Sequence, residues 1–343
     1  CEIKRKKLIF LREIRMNDLI SVIIPFYKSP LTKLRLCIES FIRQSYKNFE
    51  LLIIDDGNPE NIDYLKEEYE KRDARIRFIR QKNGGVSAAR NHGVDIAMGK
   101  YIVFCDSDDY VESNYLQSLL DHVQGYELAV CGIAEQWFPI ENIKVDMRIF
   151  SSFPSRFNWI QYVNFSVNKI YCADILNTYH IRFNTEIRLG EDALFLMDYI
   201  KHCKRIHCFS SPLYHYVPNN GSAVHQYDSK YWEYEYQVID KQYKFFNTYP
   251  LSEKETMFMR YWLYIKLKGV MYYYMNHTDD HSTAKKYIEK VIVCPYFPEI
   301  FIAYTKNKFF NKKDRVILCL WRIFGKNGIF LTKYLSILKN SLK

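Results

Sequence analysis

The chain of 343 residues contains no Cys-x-x-Cys pair, and its nine cysteines stand singly between Cys1 and Cys319. That scatter argues against a disulfide framework or a zinc ribbon and favours a reducing compartment. His202-Cys203 and His207-Cys208 find no second ligand pair at zinc-site spacing. No uncharged apolar run of about 18 residues occurs, so a membrane-spanning helix is not expected. The apolar stretch at residues 8–11 runs straight into Arg12, Glu13 and Arg15, which is not the core of a secretion signal. Neither GxGxxG nor GxxxxGK[S/T] is present, which removes the usual dinucleotide and P-loop readings. Internal repeats and low-complexity tracts are missing too. With 48% hydrophobic and 26% charged residues, the composition is that of a globular chain long enough for two domains, or one with a sizeable extension.

Charge is abundant but uneven. The formal net charge is +10, yet residues 306–343 alone hold ten Lys and Arg against Asp314, and residues 1–15 hold six against two acids. The body between is slightly acidic. No basic stripe crosses it, so a nucleic-acid partner is not expected. In the tail, Leu331, Tyr334, Leu335, Leu338 and Leu342 follow helical spacing, with Lys333, Asn340 and Lys343 off the stripe. Such a helix can lie among anionic lipid headgroups, or pack on its own domain or within a homo-oligomer. Membrane contact is the working expectation.

The first half alternates short apolar runs with helical segments. Strands are expected at 21–25, 51–54, 76–79, 101–105 and 128–131, and helices at 31–45, 59–72, 86–98, 113–123 and 191–203. Apolar runs of this kind mean strands buried on both faces, hence an α/β fold built on a mainly parallel sheet of βαβ units. Residues 135–190 show no clear period, and beyond about 228 the pattern is helical and rich in Tyr and Lys.

Polar clusters fall at the carboxyl ends of three expected strands: Pro25-Phe26-Tyr27, Asp55-Asp56-Gly57 and Asp106-Ser107-Asp108-Asp109. Ligands of open parallel sheets bind beyond those ends. Three carboxylates within four residues repel one another unless something compensates, and Mg²⁺ or Mn²⁺ takes such hard oxygen ligands alongside substrate phosphates. A solvated turn capping the next helix is the plainer reading. The run Asn83 to Asn91 is a glycine loop opening a helix, suited to an anion, with Arg90 one to two turns in; an ordinary cap reads equally well.

Together these residues resemble family 2 glycosyltransferases of the GT-A fold, in order and at family-like spacing across 19–110, with Gly190-Glu191-Asp192 similar to that family's acidic motif. The resemblance implies a Rossmann-like, mainly parallel sheet flanked by helices, with a helical C-terminal extension. It implies a catalytic domain over 16–227, split into a donor half at 19–110 and an acceptor half at 111–227. Residues 1–15 are then a basic extension, and 228–343 a helical region ending in the amphipathic tail 306–343. Pro25 and Tyr27 would contact the nucleobase and Asp56 would hydrogen-bond it. Asn83, Gly85 and Arg90 would help hold the nucleotide. Asp106 and Ser107 would face the ribose and metal side, and Asp108 would ligate the divalent ion. Asp192, beside Glu191, would be the general base. Tyr214-His215-Tyr216 and the following Asn/Gly/Ser turn resemble the stretch that covers the donor diphosphate, with His215 on the phosphates or metal and Ser222 on phosphate; an exposed aromatic strand with a mobile turn fits equally.

The implied activity is metal-dependent, inverting transfer of a sugar, with UDP as the expected nucleotide, to a hydroxyl of a glycan or lipid-linked saccharide. The setting would be bacterial-type surface polysaccharide assembly, peripheral at the cytoplasmic face of the cell membrane. Lys28 and Asn58 stand where the family often has Asn and Ser. A sugar nucleotidyltransferase could share the sheet but would want an early Gly-Gly-x-Gly-Thr-Arg-like loop, which is missing. A membrane-associated scaffold with a degenerate nucleotide site is the non-enzymatic rival.

Overall fold

The structure, a computed structural model, describes residues 18–134, 142–146, 164–218, 227–277, 281–302 and 304–341. These divide into two compact units, the first running to residue 218 and the second starting at 227.

The first unit is a mixed sheet flanked by helices. Strand β1 (Ile20–Phe26) and strand β2 (Phe49–Asp55) are buried at every position, which is why each carries an apolar run, residues 22–26 and 51–54 respectively. They pair in parallel, and β3 (Ile76–Arg80) extends the set on the far side of β2. Helix α1 (Leu31–Ile42) follows β1 and buries Leu34, Cys37, Ile38 and Phe41, the stripe that i, i+3, i+4, i+7 spacing dictates. Helix α2 (Asp63–Arg72) begins four residues later than the sequence pattern suggests. There the Asn61 side chain accepts the Asp63 N–H, so the intervening residues turn rather than coil. Helix α3 (Val86–Ile96) leads into β4 (Tyr101–Phe104), which pairs in parallel with β1 on the side opposite β2. The order reverses at β1, and that switch opens a crevice at the strand ends.

The remainder of the unit holds β5 (Tyr110–Val111), α4 (Tyr115–Val123), β6 (Leu128–Ile133), β7 (Ile143–Asp146), β8 (Lys169–Cys172), α5 (Ala173–Thr178), α6 (Glu191–Ile200) and β9 (Arg205–His215). The sheet runs β3-β2-β1-β4-β8-β6-β9-β5, with β7 on β9. The expectation of a mainly parallel sheet needs one refinement. Beyond β4 only β6 and β9 pair in parallel, while β8 runs antiparallel to both neighbours and β9 to β5 and β7.

An aromatic cluster seats α6 behind the strand ends. Phe104 makes edge contacts with Tyr171, Phe183 and Phe195, and the last two stack at 3.9 Å.

The second unit is helical: α7 (Tyr231–Asn247), α8 (Glu253–His277), α9 (His281–Ile292), a 3₁₀ turn at Pro298–Phe301, and α10 (Lys312–Ser341). Gly325 breaks α10 with φ of 52°, a left-handed conformation open to glycine. No described helix is long and apolar enough to cross a membrane.

Candidate active site

At the end of β1 the chain turns outward. Pro25 is still buried inside the strand, whereas the Tyr27 ring is 43% exposed, with Lys28 Nζ 5.1 Å from its centroid. Lys28 adopts φ of 52°, and its N–H donates to Asn58 Oδ1, while the Asn58 N–H donates to Asp55 Oδ1. Asn58, where the family often has Ser, therefore ties the ends of β1 and β2 together.

Asp56, expected to hydrogen-bond the nucleobase, is engaged by partners within the chain. It is 2% exposed, and its carboxylate accepts four hydrogen bonds, from Gln81 Nε2, Asn83 Nδ2 and the backbone N–H groups of Gly84 and Gly85. A carboxylate offers about four lone-pair sites. Within this arrangement Asp56 is thus an anchor for the glycine loop. The Gly84 and Gly85 amides that looked suited to a ligand anion hold this internal one instead, and Asn83 is spent on the same residue. Gly57 makes the approach feasible: at φ of 70°, a Cβ there would lie 2.8 Å from the Asn83 nitrogen.

Arg90 is the centre of the site. Helix α3 buries it to 3% exposure, and its fork reaches both acidic clusters. Nη2 donates to Asp106 Oδ1 at 2.8 Å, and Nη1 to Asp192 Oδ1 at 2.8 Å and Glu191 Oε1 at 3.4 Å. Its carbon lies 5.2 Å from the Phe183 ring. Burial alone would lower its pKa, but the charges of Asp192, Asp106 and Glu191 outweigh that and hold it far above the ordinary value. Arg90, expected to help hold the nucleotide, forms in this structure a buried bridge between carboxylates 86 residues apart in the chain. Asp192 is also fixed by the Ser166 N–H on Oδ2. Glu191 is pushed up to about 7 by burial and by the Asp192 charge.

The Asp106–Asp109 quartet splits by function. Asp109 is 1% exposed, accepts the Tyr214 hydroxyl and the Val217 N–H, and is pushed up to about 8 by burial and by the Asp106 charge. It secures the end of β9. Ser107 is buried, while Asp106 and Asp108 are half-buried, with 35% of the Asp106 side chain open. Their hard oxygens fit Mg²⁺ or Mn²⁺, provided that phosphates and water complete the shell. Among the described residues no group of three or more His, Cys, Asp or Glu side chains is arranged to hold a metal ion. The expected trio of Asp106, Asp108 and His215 is accordingly not assembled. The His215 ring stacks on Tyr110 at 4.3 Å, and its Nε2 is 2.8 Å from Glu112 Oε1.

Ser222, the basic segment 1–15 and the tail side chains from Lys333 onward lie outside the described residues. Sequence reasoning missed Ser166 and the Tyr214–Asp109 bond. Ser166 acts through a backbone N–H, which leaves no side-chain signature; Tyr214, set in an aromatic triplet, pairs across 105 residues.

The family model described as Glycosyl transferase family 2 matches residues 21–178. The chain is 30% identical over 258 residues to the glycosyltransferase EpsJ of Bacillus subtilis, covering 69% of this chain and 72% of that protein. It is 29% identical over 214 residues to GgaB of the same organism, a minor teichoic acid biosynthesis protein of which the match spans 24%. Among solved structures, S. aureus TarS 1–349 in complex with UDP-GlcNAc superposes with a TM-score of 0.69 at 18% identity, over 93% of this chain and 92% of that one. Its fold is therefore shared.

Proposed function

The chain belongs to glycosyl transferase family 2, and from that premise we propose an inverting transferase that moves a sugar from a UDP-sugar to a hydroxyl of a growing glycan or lipid-linked saccharide. The observation that carries the reading is the Arg90 fork, which holds Asp106 on one branch and Asp192 on the other. One guanidinium thereby sets the spacing between a donor side and an acceptor side.

Tyr27 offers an exposed ring at the switch point for the nucleobase. Asp106 and Asp108 would hold the divalent ion, which when bound offsets charge on the leaving diphosphate, an effect on the order of several kcal/mol. Asp192, oriented by Arg90 and the Ser166 N–H, takes the proton from the acceptor hydroxyl. The freed oxygen pair forms the new bond to the anomeric carbon from the face opposite the nucleotide. The carbon–oxygen bond to the diphosphate breaks, and UDP leaves with that electron pair. Glu191, with its carboxyl near 7, is a neighbour that can hold a proton close to Asp192.

The setting supports bacterial surface-polymer assembly, since EpsJ and GgaB are bacterial and GgaB is a teichoic acid biosynthesis protein. A peripheral position on the inner face of the membrane is part of the proposal. The test is a nucleotide-sugar hydrolysis screen with Mn²⁺ that reads free nucleoside diphosphate. At least one UDP-sugar should be turned over, and Asp192→Asn should lose about 10²–10⁴-fold in rate while UDP affinity stays put. Full activity in Asp192→Asn would remove it as the base; silence with every donor would remove the transferase reading.

A further inference from the structure

The helical unit carries a cavity that no step of the transfer uses. It measures ≈ 280 Å³ and sits where α7 gives way to α8. Tyr243 and Asn247 line it from the end of α7, Tyr249 from the connection, Thr256 and Arg260 from α8, and Glu299 from the 3₁₀ turn. Clefts for drug-sized ligands run to roughly 300–1,000 Å³, so this one suits a single small ring.

The Nε–H of Arg260 is buried and finds no hydrogen-bond partner among the described residues. The Glu299 carboxylate lies 3.6 Å away, past hydrogen-bonding reach. That Nε is out of a ligand's reach, but 22% of the Arg260 side chain stays open beside Glu299, and its guanidinium can donate there to a ligand oxygen. The two charges offset each other, so the lining is neutral and gives no advantage to a phosphate or carboxylate. Around them stand an amide, a hydroxyl and two partly exposed tyrosine rings. Tyr243 is held in place by Tyr296, whose ring centroid is 4.7 Å from its own. Aromatic faces for C–H surfaces, with planar carboxylate, amide and guanidinium groups for adjacent hydroxyls, make up the chemistry that recognises a pyranose.

We propose that this cavity is a carbohydrate subsite that holds one neutral sugar ring of a glycan, apart from the ring being transferred. It goes beyond the transfer reaction and rests on that reading only for the expectation that a glycan is at hand. A second grip on the polymer would raise the local concentration of its end through effective concentration alone.

The test is saturation-transfer NMR on the full chain loaded with UDP, using glucose, galactose, N-acetylglucosamine and rhamnose at millimolar concentration. At least one sugar should show transfer, and its apparent Kd should rise at least about tenfold in Arg260→Met and in Asn247→Ala, the ratio a lost charge-assisted hydrogen bond gives. UDP affinity and donor hydrolysis should match wild type in both variants. Silence from all four sugars, or a signal that survives both substitutions, overturns the proposal. If Arg260→Met does not fold, Asn247→Ala decides alone. A chain that binds sugar through these residues yet hydrolyses no nucleotide-sugar would sink the transferase reading and leave the subsite standing; the reverse pattern sinks only the subsite.

Discussion

Arg90 has 4% of its side chain exposed and three carboxylates around it. A buried cation is tolerable only when paired, and here removing it would leave Asp106, Glu191 and Asp192 facing one another without compensation. Arg90→Met should therefore cost about 3–5 kcal/mol of stability, the range for breaking a buried ion pair. Arg90→Lys keeps the charge but loses the planar fork, so a single ammonium cannot serve both clusters. The expectation is a folded Arg90→Lys protein with near-normal UDP affinity and a sharply reduced transfer rate. Thermal unfolding with steady-state kinetics checks it, and full transfer activity in Arg90→Lys would show that the bridge does not set the geometry.

At the scale of elements, the end of β9 depends on a carboxyl that burial keeps protonated. Asp109, pushed up to about 8 from an ordinary 3.8, holds more protons folded than unfolded between those values. Its contribution is fully present below pH 3.8 and is lost as pH rises through about 8. Glu191, pushed up to about 7, acts in the same direction. Without divalent cations, wild-type unfolding temperature should fall from pH 5 to pH 8 more steeply than that of Asp109→Asn, which has no proton to lose; parallel curves would contradict the assignment. Legibility from sequence follows the same division. Strands β1, β2 and β4 are buried on both faces, so their apolar runs, and the acids that close β2 and follow β4, could be read directly. Strand β8 is four residues long and finds its partners at Tyr101–Ile102 and Leu128–Val130, and β9 pairs with β5, β6 and β7. Nothing local marks them. The motif residues were legible as a set, but their partners within the chain were not, because those of Asp56 arrive 25 to 29 residues later and the Asp192 that pairs with Arg90 arrives 102 later.

For the whole molecule, the question is how it meets its acceptor, and α10 bears on that directly. Val316, Ile323, Phe324 and Leu331 are 59%, 64%, 53% and 40% exposed, while Ile317, Leu318 and Trp321 on the other side are buried. Val316, Ile323 and Phe324 stand seven and eight apart in the turns before Gly325, which keeps them on one face, while Leu331 lies beyond that break. Lys312, Lys313 and Arg322 are exposed alongside. The stripe expected from sequence begins at Leu331, beyond Gly325, so Val316, Ile323 and Phe324 stand outside it, and its side chains from Lys333 onward lie outside the described residues. A helix packed on its own domain buries its apolar face; this one buries one and exposes another, as an interfacial helix does. Each cation near an anionic leaflet adds about 1 kcal/mol, an attraction that salt weakens. We predict that the protein sediments with anionic phospholipid vesicles at low salt, and that Val316→Asp with Ile323→Asp abolishes this without lowering the unfolding temperature, since exposed positions tolerate change within about 0.5 kcal/mol. Hydrolysis of a soluble donor should be untouched. If the double variant still binds vesicles, the stripe is not the contact; if the wild type is a dimer that the double variant turns monomeric, the same face serves a second copy of the chain instead of a membrane.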